Sequence, residues 1–238
     1  MGAHGIAVTA PGRTAKAEPM YNALLACGIV SSLLYVAMNV FLPMWWEGYS
    51  CASRVVSELS AIDAPTRPVW VPLGIVYGAL ATAFGWGVWT SARGNRALRV
   101  VGGLILVYGA IGLVPWPPMH QREVLAAGGG TLTDTLHIVW SMAAVLLMLL
   151  AMAFGAAAFG KRFRRYSIAA IVTLVAFGVL TGLESPGISA NLPTPWIGVW
   201  ERINIGVFLL WVVVLAIVLR RQLPHRAPSP HSRRGGQG

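Results

Sequence analysis

Six stretches of this chain are each long and apolar enough to cross a lipid bilayer, and that constrains the fold more than any other feature. A helix needs about 20 apolar residues to span the hydrocarbon layer. The runs at 21–44, 68–92, 97–116, 132–159, 166–184 and 197–219 all satisfy this. Of 238 residues, 56% are hydrophobic and 11% charged, whereas soluble domains carry about a quarter charged residues. Little remains for a soluble domain. The expected fold class is all-α: a six-helix transmembrane bundle over 21–219, with a short interfacial or re-entrant helix after the first span.

A net charge of +10 raises nucleic acid as a partner, but the positions of the basic residues argue for a lipid bilayer instead. They cluster in alternate loops: Arg13 and Lys16 before the first span, Arg93, Arg96 and Arg99 after the second, "KRFRR" at 161–165, and five arginines after the sixth. The positive-inside rule then puts both termini in the cytoplasm of a multi-pass protein of the plasma (inner) membrane. Residues 1–20 contain no continuous apolar core of the kind a cleaved signal has and are expected to be a flexible cytoplasmic start. Residues 220–238 mix Pro, Ser, Gly and Arg without periodicity, the composition of a disordered basic tail suited to anionic headgroups.

Within the spans, Gly74, Gly78 and Gly85, then Gly102, Gly109 and Gly112, then Gly178 and Gly182 permit the close backbone approach typical of packed membrane helices. Trp45, Trp46, Trp70, Trp116, Trp196 and Trp200 fall at the outer ends, as an interfacial belt does. The cytoplasmic connections are short. The outer ones are longer and hold most of the acidic residues, so a localised function is expected there.

The first outer connection reads "YSCASRVVSELSAIDAPTRPVW". A helix over 50–62 would align Ser50, Ser53, Ser57 and Ser60 as a hydroxyl stripe, with Val55, Leu59 and Ile62 beside it. Arg54 and Glu58, four apart, are positioned to pair. Opening the fourth span, Asp134, His137 and Ser141 share a helical face, and a histidine beside an acid can hold a metal, move a proton or brace the bundle. His120, Arg122 and Glu123 precede them. In the sixth span, Glu201 and Arg202 are adjacent and point about 100° apart on a helix, so each is expected to find a partner elsewhere. Arg202 is expected to meet an acid among Glu58, Asp63, Asp134 and Glu184. For Glu201 the candidates are Arg54, Arg122 and His137. Ionisable groups within membrane segments are functional candidates by default.

The motifs "SELSAIDAPTRP", "TDTLHI" and "GVWERI", in this order, resemble the domain-of-unknown-function 998 family of small polytopic membrane proteins. The resemblance covers nearly the whole chain. It implies a multi-helix membrane bundle and matches Ser57, Glu58, Asp63, Pro65, Asp134, His137, Glu201 and Arg202, but brings no reaction with it.

Three functions compete. The favoured one is binding or translocation of a lipid or small anionic molecule by an outward-facing cluster of Arg54, Ser57, Glu58, Asp63, Asp134, His137, Glu201 and Arg202. The second is an outward-facing hydrolase or transferase with His137 as base or metal ligand, Asp134 orienting it, and Glu58 or Glu201 activating water. The third is a structural or assembly role. Only His120 and His137 lie in the outer region and no HxxxH occurs, so no three-histidine zinc site is expected and no metal or cofactor is assigned. Cys27 and Cys51, at opposite ends of the first span, are not expected to bridge.

Overall fold

The computed structural model describes residues 12–190 and 192–222. Its helices are α1 (Gly12–Phe41), α2 (Arg67–Ser91), α3 (Arg96–Ile111), α4 (Arg122–Ala126), α5 (Leu132–Ala158), α6 (Lys161–Glu184), α7 (Pro186–Ser189) and α8 (Ile197–Arg221). Short 3-10 segments at Leu42–Trp45 and Val56–Ser60 follow α1. The fold is all-helical, and six helices form the bundle. Five of them, α1 from Pro19 together with α2, α5, α6 and α8, are long and apolar enough to cross a membrane. α3 has only 16 residues, about 24 Å at 1.5 Å per residue.

Packing closes these six into a ring in chain order, α1 on α2, α2 on α3, α3 on α5, α5 on α6, α6 on α8 and α8 back on α1. The polarity pattern is that of a membrane bundle. Leu33, Val36, Val139, Met142, Leu146, Val172, Val179 and Leu210 are exposed on the outside, while Leu25, Phe84, Ile105, Met152, Leu174, Phe208, Trp211 and Leu215 fill the centre. Two polar groups inside are satisfied by one bond each: Trp211 Nε1 donates to Ser167 Oγ at 2.9 Å and Asn204 Nδ2 to the Leu174 carbonyl at 2.6 Å.

The α2–α3 contact is the closest in the ring, and glycine makes it possible. A Cβ on Gly78 would lie 2.7 Å from the Gly112 carbonyl carbon, and one on Gly85 would lie 2.6 Å from the Leu106 nitrogen. The backbones meet where side chains would otherwise separate them.

The connections sort onto two faces. Asn95 Nδ2 donates to the Ala158 carbonyl at 3.0 Å, joining the two short basic connections. On the opposite face Ile62 N donates to Met119 O at 2.8 Å and Gly198 N to Ala52 O at 2.8 Å, joining the longer connections into one cap. All the acidic residues except Glu18 belong to that cap or to the helix ends beneath it.

The bounds differ from expectation in three spans, the first being α1, which covers Gly12–Phe41 rather than 21–44. α3 stops at Ile111 rather than 116, because Pro115, Pro117 and Pro118 lack donors and push their predecessors out of helical geometry. α6 starts at Lys161 rather than 166, its first turn made by the basic connection itself. Helical backbone begins at Gly12, so the latter part of the expected flexible start belongs to α1. The remainder of that start, and residues 223–238 of the expected tail, lie outside the described residues. The predicted helix over 50–62 is not formed. Turns occupy 51–54 and only Val56–Ser60 coils, as a 3-10 segment.

Candidate functional site

The cap explains why 50–62 is not a helix. A helix would use its own carbonyls, whereas here they accept from elsewhere: Cys51 and Arg54 from Arg202 Nη1 at 2.9 and 3.1 Å, Ala52 from Gly198 N at 2.8 Å, Ser53 from Arg122 Nη2 at 2.8 Å and from Thr194 Oγ1 at 3.0 Å, and Val55 from the Tyr49 hydroxyl at 2.8 Å. Arg202 also reaches its own Gly198 carbonyl at 3.0 Å and the Tyr49 hydroxyl oxygen at 2.9 Å. Burial pushes the Tyr49 phenol above its ordinary value, against the Arg202 guanidinium beside it, so it stays a neutral donor.

Arg202 therefore meets no carboxylate, and the expectation of an acidic partner among Glu58, Asp63, Asp134 and Glu184 is corrected. A planar guanidinium with several donors suits a cluster of carbonyls as well as it suits one acid. Gly198 is what lets it in: a Cβ there would run into the carbonyl oxygens of Arg54 and Cys51.

Glu58 is the hub of the ion pairs. It is fully buried and receives Arg54 Nη1 at 2.8 Å, as the four-residue spacing predicts, and Arg122 through Nη2 at 2.6 Å and Nε at 3.1 Å. Arg122 spans the connections, adding Thr194 Oγ1 at 3.1 Å. The second arm of Arg54 holds Glu123 at 2.5 Å. Partial burial would push the Glu123 carboxyl up, but hydrogen bonds from its own backbone and from Arg54 outweigh that and hold it below its ordinary value. Sequence reasoning offered Arg122 to Glu201 and gave Glu123 no partner, because residue spacing does not reveal a pairing with Glu58 made across 64 positions.

The predicted Asp134–His137 dyad is likewise not formed. Asp134 accepts from the His120 backbone N–H at 2.7 Å, from His120 Nδ1 at 2.9 Å and from Thr131 N at 2.8 Å. It caps α5 and ties down the preceding loop. His137 turns the other way and Nδ1 sits 2.7 Å from the Pro117 carbonyl. A carbonyl only accepts, so in the neutral ring Nδ1 carries the proton and Nε2 is the free acceptor. Glu184 accepts from Trp200 Nε1 at 3.0 Å. Asp63 is exposed in a turn with φ of 62° and joins no part of the cluster. Glu201 meets none of Arg54, Arg122 or His137; its recorded partner is the backbone N–H of Val56. Among the described residues no group of three His, Cys, Asp or Glu side chains forms a metal cluster, and Cys27 and Cys51 are both free.

Beneath this cap lies a cavity of about 230 Å³, lined from all sides of the ring except α6. Its polar end is made by Ser57, Ser60, Arg67, His137 and Glu201. The walls are Tyr35, Trp70, Tyr77, Tyr108 and Trp116, with Gly74, Val145 and Met148. Tyr35 packs edge-on against Trp70 at 5.8 Å between ring centres, and the Tyr77 and Tyr108 hydroxyls bond at 2.9 Å. Tyr77 is ten residues along α2 from Arg67, so the cavity descends about 15 Å from the cap.

The short α3 explains this void. Past Ile111 the ring has no helix between α2 and α5, and Val114, Pro115 and Trp116 of the following segment fill the position only in part. Ile75, Val114 and Pro115, all lining the cavity, are themselves exposed. The opening is thus apolar. Of the eight candidate site residues, Ser57, His137 and Glu201 line the cavity. Arg54, Glu58, Asp134 and Arg202 build the roof instead.

A family model described as "Protein of unknown function (DUF998)" matches residues 29–218, which include α2, α3, α5 and α6 whole, α8 as far as Val218 and α1 from Ile29. The chain belongs to the DUF998 family. The family match takes in the three motifs noted above, and "SELSAIDAPTRP" and "GVWERI" contribute Glu58, Gly198, Glu201 and Arg202 to this part of the DUF998 protein. Neither a curated protein nor a solved structure matches the chain.

Proposed function

We propose that this membrane protein binds an amphipathic molecule, a lipid or a lipid-like compound, drawn from the outer leaflet into the cavity beneath the cap. One observation carries the reading: a void with aromatic and aliphatic walls, polar at the cap end and bordered by exposed apolar residues at the gap beyond α3. Ligand sites are concave, mostly apolar and provided with a few polar groups, and this one meets each condition. The basic residues gather at the two short connections and the end of α8, which favours a cytoplasmic position for that face and both termini, and an outward cap in the plasma membrane.

The earlier idea that Arg54 and Arg202 hold an anion loses its support, since both guanidinium groups are engaged by Glu58, Glu123 and backbone carbonyls. A hydrolase or transferase reading keeps one supporting observation: His137, with Nε2 free to accept, and Glu201 line the same cavity. Asp134 and Glu58 have no part in that version. A purely structural role accounts for the cap but not for the void under it.

The test uses Gly74, which lines the cavity and where a Cβ would meet nothing within 4 Å. Gly74→Phe should fill the cavity without disturbing the helices. Native mass spectrometry of the purified protein should find a bound lipid-like species on the wild type and not on the variant, with thermal unfolding unchanged. Equal occupancy of both proteins would refute the reading.

A further inference from the structure

Glu47 and Asp63 are exposed at the surface of the cap, and among the other acids there Glu201 is the exception. Glu58 holds two arginines, Glu123 pairs with Arg54, and Asp134 pairs with His120. Glu184 receives two N–H donors from tryptophans. Glu201 alone of the acids lines the cavity, and among the described residues it forms no ion pair. Its Oε2 accepts from Val56 N. Its Oε1 has no recorded donor and is not sealed within protein, so it opens to the cavity.

We propose that the ligand of this cavity carries a positively charged amine, which Glu201 binds through its free oxygen while the apolar part lies between α2 and α5. The inference rests on the binding function proposed above and names the ligand class for it. A carboxylate at the limit of the hydrocarbon without a counter-charge is costly, and such groups face water or a partner. Among the described residues none pairs with it. Arg202, adjacent in sequence, directs its guanidinium into the carbonyls of the roof. Arg67 lines the cavity but donates to the Ser60 carbonyl.

The walls agree with a cation. Tyr35, Trp70, Tyr77, Tyr108 and Trp116 all line the space, and an ammonium group is attracted to aromatic rings as well as to a carboxylate. An anionic headgroup would instead meet the like charge of Glu201. Two sources offer the required chemistry, a free amphiphilic amine and an aminolipid whose phosphate would reach the remaining donors of Arg67.

The probes are octylamine, octanol and octanoate, which share a chain and differ in charge. Each is titrated against the full-length protein in phosphatidylcholine nanodiscs, with occupancy read by native mass spectrometry. Octylamine should bind at least tenfold more tightly than the other two. Glu201→Gln, whose amide oxygen can still accept from Val56, should erase that preference while leaving octanol binding and thermal unfolding unchanged. Equal affinities in the wild type, or a preference surviving in Glu201→Gln, would overturn the amine assignment and leave the cavity reading standing. If none of the three binds and Gly74→Phe alters no copurifying species, both fall. Replacing phosphatidylcholine with phosphatidylethanolamine separates the sources: competition with octylamine supports an aminolipid, and undiminished octylamine binding supports a free amine.

Discussion

At the scale of single residues, the cap divides its charged groups between those that hold structure and those that face space. Glu58 is fully buried between two guanidinium groups. Removing one partner of a buried pair leaves the others uncompensated and costs about 3 kcal/mol or more. Glu58→Gln should therefore lower the unfolding midpoint markedly in detergent, whereas Glu47→Gln, at an exposed position, should leave it in place. A similar loss for both, or for neither, would mean that the Arg54–Glu58–Arg122 cluster does not brace the cap. Arg202 belongs with these structural groups, although a charged residue entering a membrane helix reads from sequence as a ligand holder. The distinction was not legible because its acceptors are main-chain carbonyls, which carry no signature in the side-chain sequence.

At the scale of elements, glycine decides where backbones meet. Gly198 and Gly206 both lie in α8, but a Cβ at Gly198 would strike the carbonyls of Arg54 and Cys51, and one at Gly206 would meet nothing within 4 Å. Gly198→Ala should destabilise the protein by about 1–3 kcal/mol through overpacking, and Gly206→Ala should be neutral or slightly stabilising through helix propensity. Thermal unfolding of the two variants side by side checks this. Element existence was readable because hydrophobic runs of spanning length admit little else, and α2, α5 and α8 fall within two residues of the expected bounds. The early end of α3 followed from prolines visible in "VPWPP"; its consequence, a gap between α2 and α5, required knowing that the helices close a ring in chain order. The segment after α1 misled for a physical reason. Its serine spacing fits a helix, but tertiary donors claim the carbonyls that a helix needs.

At the scale of the whole molecule, an even ring of helices separates a basic face with short connections from an acidic cap with long ones. On the orientation proposed here, an impermeant thiol reagent added to intact cells should label Cys51, which is exposed on the cap, in a Cys27→Ser background. It should not label a cysteine introduced as Arg93→Cys in a Cys27→Ser, Cys51→Ser background. The reverse pattern would invert the protein in its membrane. The same separation gives the cavity its direction, with polar groups under the cap and a floor at the Tyr77–Tyr108 pair. Of the predicted site residues, those that reach this space are Ser57, His137 and Glu201; Trp70 and Trp116 read from sequence as an interfacial belt, and their meeting with Tyr35, Tyr77 and Tyr108 was not legible because aromatics on four separate elements show no local pattern.

The central claim is that the space beneath the cap is a ligand site rather than a packing defect beside a short helix. The most direct measurement is an experimental structure of the protein in native lipid. The account predicts elongated density running from the gap beyond α3, past Gly74, to the free oxygen of Glu201. A cavity closed by side chains, or filled by water alone with lipid confined to the outer surface of the ring, would contradict it.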